Sequence, residues 1–189
     1  HVPFLLRTAL VVLLSIALAR PQMSNRLQSE STEGIDIMMA LDVSGTMLGE
    51  DLKPNRLEAA KAVAKEFVSS RPNDQIGLVL FAGESFTQCP LTTDHTVLFD
   101  LFESVQFGLI EDGTAIGLGL ANAVNRMKDS PTKSKVIILL TDGSNNRGDI
   151  DPQTAAEIAK TYGIRVYAIG VGSYSKEVKV PIHTPYGVQ

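Results

Sequence analysis

Three short stretches of this chain carry carboxylates and hydroxyls at spacings that suit a metal ion. They are Asp42-Val43-Ser44-Gly45-Thr46, Asp112-Gly113-Thr114 and Thr141-Asp142-Gly143. None of them contains sulfur or imidazole. The single cysteine, Cys89, sits in a strand-like run and reads as a small core residue. His1, His95 and His183 are far apart, which disfavours a zinc site built on Cys and His. An all-oxygen donor set selects a hard divalent cation, Mg²⁺ first, with Mn²⁺ or Ca²⁺ as alternatives. Taken alone, each stretch has an ordinary reading. Asp42 to Gly45 could be an Asx-type turn, and Asp142-Gly143 is a common turn pair. Their weight comes from falling in register at the ends of predicted elements.

Those elements alternate. Ile35–Leu41 reads as a strand, apolar except for Asp36, and so covered on both faces. Leu57, Ala60, Ala64, Phe67 and Val68 share one helical face, which predicts a helix over Arg56–Ser70. Gln75–Ala82 is a second strand, with Ser85–Leu91 as its hairpin partner. Helices follow over Thr96–Ser104 and Thr114–Lys128, the latter thinned by Gly117 and Gly119. Lys135–Leu140 is a buried strand. Asp151-Pro152 caps and opens the next helix, Gly163 ends it, and Ile164–Val171 is a further strand. This order predicts an α/β domain with a mostly parallel sheet. Ligands of such sheets bind beyond the carboxyl ends of the strands, where Asp42 and Asp142 fall.

Here the sequence resembles the von Willebrand factor A domains and their metal-ion-dependent adhesion site. The likeness runs over roughly residues 34–173. It is carried by Asp42-x-Ser44-x-Thr46, by Thr114 in a Gly-Thr-Ala context and by Asp142 in a Leu-Thr-Asp-Gly context. Where that motif usually has a serine, this chain has Thr46, which keeps the hydroxyl. The resemblance implies a Rossmann-like fold, a mostly parallel central sheet flanked by helices. It implies that Ser44, Thr46 and Thr114 contact the metal, and that Asp42 and Asp142 bind it directly or through water. Neutral hydroxyls neutralise the ion incompletely, so an acidic side chain of a partner protein can fill an open position. A metal-dependent hydrolase, or a domain whose metal is purely structural, are the alternatives. The chain lacks a Gly-x-Ser-x-Gly elbow, a phosphate-cradling glycine loop and a histidine next to the motifs.

The remaining features set bounds. The 189 residues are 44% hydrophobic and 20% charged, which fits one globular domain. Residues 1–20 hold two of the 17 basic residues and no acid, leaving 15 basic against 21 acidic residues in the body, so no nucleic-acid partner is expected. Residues 2–19 are apolar apart from Arg7 and would span about 27 Å as a helix. They are read as a transmembrane helix within residues 1–20, with a signal peptide or a buried helix as alternatives. Residues 21–33 read as a linker, and residues 174–189 as a C-terminal segment of a truncated domain. Arg147-Gly148-Asp149 reads as a chance polar loop, and Arg147 stands where an EF-hand loop would need glycine. The apolar segment ending in Ala-Arg-Pro-Gln, followed by Gly-Ile-Asp-Ile-Met-Met-Ala-Leu-Asp-Val-Ser-Gly-Thr-Met, is similar to the bacterial aerotolerance-related membrane proteins of the Bat group. That likeness implies a bacterial inner-membrane protein with a periplasmic A domain. It also implies sister Bat proteins and a MoxR-type AAA+ ATPase as partners.

Overall fold

A computed structural model describes residues 2–18, 34–143, 145–173, 183–184 and 187–188. β1 (Asp36–Asp42) is buried along its whole length and pairs in parallel with β2 (Gln75–Phe81) on one side and β4 (Lys135–Thr141) on the other. β5 (Ile164–Gly170) continues the sheet in parallel beyond β4, and β3 (Ser85–Thr92) runs antiparallel at the β2 edge. The strand order is β3-β2-β1-β4-β5. The chain therefore moves outward from β1 in one direction and later in the other, and the ends of β1 and β4 flank that reversal.

Alternation along β1 divides the core. Ile37, Met39 and Leu41 pack with α2 (Arg56–Ser69) and α3 (His95–Ser104) on one face. Met38 packs on the other with α4 (Ile116–Met127) and α5 (Pro152–Thr161), and Ala40 meets Phe81, Ile116 and Leu139. The helix starts follow from local chemistry. Asn55 accepts the Glu58 amide, and Asp94 accepts the amides of Thr96 and Val97. Asp151 accepts those of Gln153 and Thr154 ahead of Pro152, as the sequence predicts. Asp36, the one polar residue at the start of β1, is buried and accepts hydroxyls from Ser130 and Thr132.

Two expectations need correction. The helix predicted from Thr114 begins at Ile116, because Ala115 takes non-helical angles (φ −100, ψ 70). Thr114 thus stays on the loop. The N-terminal segment is α1 (Val2–Leu18), a helix of 17 residues. Among the described residues no helix is long and apolar enough to cross a membrane. Residues 1–32 and 33–189 form separate compact units. The linker expected at 21–33 lies outside the described residues. Of 174–189, only the short antiparallel pair His183–Thr184 and Gly187–Val188 is described.

Gly117 does more than thin a helix. A Cβ there would lie 1.9 Å from the carbonyl oxygen of Ile150, so α4 can approach the 150 loop only through a glycine. Alanine's better helix propensity, about 1 kcal/mol, cannot offset that overlap. Gly117→Ala is expected to destabilise the domain by about 1–3 kcal/mol, read as a lower urea midpoint.

Candidate metal centre

The parallel register of β1 and β4 aligns Leu41 with Leu140, so Asp42 and Thr141 end neighbouring strands side by side. The Thr141 hydroxyl donates to Asp42 Oδ2 at 2.6 Å. Asp42 Oδ1 accepts the backbone N–H of Ser44 at 2.9 Å, which closes the Asx-type turn anticipated in the sequence. Asp42 is fully buried. Burial is the main force raising its pKa; the bonds from Thr141 and Ser44 oppose it, and the nearby Asp142 charge adds to it.

From that turn a chain of hydroxyls runs across to β4. Thr46 Oγ1 donates to Asp142 Oδ1 at 2.8 Å. Its only proton is then used, so the 3.0 Å contact with Ser44 Oγ has Ser44 as the donor. Asp142 Oδ2 receives Arg56 Nη1 at 2.5 Å, and the Asp142 side chain is almost wholly buried. Thr114 is buried on the neighbouring loop, where Asn146 clasps its backbone: the Thr114 N–H donates to Asn146 Oδ1 at 2.8 Å, and the Asn146 N–H to the Thr114 carbonyl at 3.0 Å. A Cβ built on Gly143 would lie 3.7 Å from Thr114 Oγ1, which puts that hydroxyl beside the Asp142 loop. Asp112 Oδ1 accepts the N–H groups of Gly45 and Gly113 at 2.8 and 2.9 Å, pinning the first loop to the second. Alanine at Gly45 would crowd that carboxylate, with its Cβ at 3.1 Å.

All five residues singled out in the sequence, Asp42, Ser44, Thr46, Thr114 and Asp142, thus gather at one end of the sheet. Among the described residues no group of three His, Cys, Asp or Glu is placed to hold a metal. The candidate donors are two carboxylates supplemented by hydroxyls, and a buried carboxylate whose charge is destabilised suits a cation. Sequence reasoning placed Thr141 in the third stretch but gave it no role, and it missed Asn146, Arg56 and Asp51. Arg56 had no local signal, since it looks like an ordinary first-turn helix residue. Arg147 donates to the Asp112 carbonyl and to Glu111 Oε1, both at 2.7 Å, and lies against Gly113. The arginine of the Arg147-Gly148-Asp149 tripeptide is therefore engaged with the neighbouring 111–113 loop. A cleft of about 260 Å³ adjoins the cluster, lined by Arg56, Asp142 and Gly170 to Ser173. A larger apolar groove of about 510 Å³ runs along β4 and β5 and includes none of the five residues.

The parallel sheet, its strand-end loops and their oxygen-rich cluster define a known class. Residues 36–180 match the von Willebrand factor type A domain family, and the chain belongs to it. Its relatives include aerotolerance-related proteins. The structure of an aerotolerance-related membrane protein from Bacteroides fragilis is 33% identical, covers 82% of this chain and 80% of that one, and superposes with a TM-score of 0.70. BatB from Bacteroides thetaiotaomicron is 32% identical over 82% and 79%, with a TM-score of 0.65. Proximal thread matrix protein 1 of the mussel byssus, described with a zinc-occupied MIDAS motif, is 28% identical over 72% and 38%, with a TM-score of 0.63. The chain spans about half the length of the curated relatives it matches. An uncharacterized protein of Borreliella burgdorferi is 34% identical over 94% of this chain and 51% of its own length.

Two carboxylates of this region respond to acid in opposite senses. Arg56 and the Ser173 amide hold the Asp51 carboxyl at about 2, below its ordinary 3.8. Its stabilising contribution is complete above the ordinary value and is lost as pH falls through about 2. Asp42 has the opposite sign, because its raised pKa favours the protonated form in the folded state. Asp51→Asn should therefore lessen the loss of stability between pH 5 and pH 2.5, read from urea midpoints in chelator. An unaltered difference would show that Arg56 does not hold Asp51 in solution.

Proposed function

We propose that this domain recognises a partner protein through a divalent cation held by Ser44, Thr46 and Thr114, with Asp42 and Asp142 serving directly or through water. The observation that carries this reading is the convergence of three loops, distant in sequence, on one oxygen-only cluster. Its hydroxyl chain runs from Ser44 through Thr46 to Asp142, with the Thr114 loop alongside. Mg²⁺ is the ion we favour, with Mn²⁺ or Ca²⁺ as alternatives, because the set has neither thiolate nor imidazole. The zinc-occupied motif of the mussel protein supports a cation at this position in the fold. When bound, the ion supplies positive charge and an open coordination position for an acidic side chain of the partner. The chain's own residues hold that ion while neutralising little of its charge.

We read the domain as an interaction module and not as an enzyme. Its likeness to the aerotolerance-related membrane protein and to BatB supports a place in a Bat system. In that reading it works at the bacterial inner membrane, on the periplasmic side. Other Bat proteins and a MoxR-type AAA+ ATPase are the partners to test first.

The test is a pull-down from bacterial membranes with the parent chain in Mg²⁺, in chelator, and with Asp142→Ala. The partner should be recovered only by the parent in Mg²⁺, while Asp142→Ala remains folded in a thermal melt. Equal recovery by Asp142→Ala, shown to hold no metal, would overturn the reading. Calorimetry with Mn²⁺ tests the first loop separately. Thr46→Ser should bind like the parent, and Thr46→Ala about tenfold more weakly or worse. Parental affinity in Thr46→Ala would remove Thr46 from the ligand set.

A further inference from the structure

The Arg56 guanidinium joins three loops at once. Nη1 donates to Asp142 Oδ2 at 2.5 Å, while Nε and Nη2 grip Asp51 at 2.7 and 3.1 Å. Asp51 in turn accepts the Ser173 N–H at 2.6 Å. Beyond β5, the chain passes close enough that a Cβ on Gly172 would lie 3.3 Å from Arg56 Cζ. The arginine side chain is only 12% exposed. This is a fixed, bidentate and largely desolvated charge, unlike a surface ion pair that solvent screens. Its effect on Asp142 is specific. One carboxylate oxygen is committed to Arg56, and the other accepts the Thr46 hydroxyl.

We infer that Arg56 is a positioning residue that keeps Asp142 out of direct metal coordination and holds the affinity of the site for its ion low. The inference rests on the metal-binding reading of the same cluster. An ion bound directly to Asp142 would sit close to a second, immobile positive charge, where little water intervenes to screen the repulsion. Asp142 instead acts through Thr46. A hydroxyl that donates to a carboxylate becomes a better lone-pair donor toward a cation. Arg56 also cancels the charge of Asp142 locally, so among the described residues Asp42 is the one candidate-ligand carboxylate without a cationic partner. An ion held this way retains charge for an incoming carboxylate. The site is thus weak by construction and completed by its partner.

Calorimetric titration of the whole chain with Mn²⁺ tests this, using the parent, Arg56→Lys and Arg56→Gln, with thermal unfolding in chelator as a check on folding. Removing the charge in Arg56→Gln should raise Mn²⁺ affinity about tenfold or more, and Arg56→Lys should stay near the parent. Unchanged or weaker binding by a folded Arg56→Gln overturns the inference. Should Arg56→Gln not fold, Asp51→Asn decides: it strips the counter-charge from Arg56 without touching a candidate ligand, and should weaken Mn²⁺ binding several-fold. Parental affinity in Asp51→Asn overturns the inference. Failure of the parent itself to bind Mn²⁺ overturns both this inference and the proposed function, whereas binding by the parent with no response to Arg56→Gln overturns this one alone.

Discussion

The carboxylate of Asp42, with no exposure to solvent at the end of the central strand, is the constraint around which this end of the molecule is arranged. A buried carboxylate is costly unless it is hydrogen-bonded or paired with a cation. The protein supplies the first remedy in part, through Thr141 from the adjacent strand and the Ser44 amide from the following turn. That turn aims the Ser44 and Thr46 hydroxyls along the strand-end edge, and Thr46 reaches Asp142 on the far side of the β1–β4 junction. The second remedy, a cation, is what the surrounding oxygens are suited to provide for.

The same geometry explains why the loops belong together. Parallel pairing puts Asp42 beside Thr141 whatever the loops do, because the register is set by buried apolar residues along β1 and β4. The loops are then tied by groups that are not candidate ligands. Asp112 binds Gly45 to Gly113, Asn146 clasps Thr114, and Arg56 fastens Asp142 to Asp51 and, through it, to Ser173. Supporting contacts of this kind orient metal ligands and set how tightly they hold.

Most of the fold was legible in the sequence, because its strands are short apolar runs and its helices carry one apolar stripe. The cap at Asp151, the Asx-type turn that the sequence offered at Asp42 and the meeting of three oxygen-bearing loops follow from residue type and spacing, whereas the choice of five candidate ligands among them came from the family resemblance. Other features were hidden for physical reasons. The start of α4 shifted by two residues, since the backbone at Ala115 is set by the loop it joins and not by local propensity. Gly117 looked like a weak point of a helix, whereas it is a close contact with a distant carbonyl. Arg56 lies 86 residues from Asp142, so their pairing has no local trace. The apolar N-terminal run is a helix, as expected, and among the described residues no helix is long and apolar enough to cross a membrane.

Anomalous scattering from crystals grown with Mn²⁺ would test the central claim most directly. The account predicts one ion about 2.2 Å from the hydroxyl oxygens of Ser44, Thr46 and Thr114, with a coordination position facing solvent or occupied by a carboxylate from another molecule. An ion bound elsewhere, or none at this cluster at millimolar Mn²⁺, would contradict it.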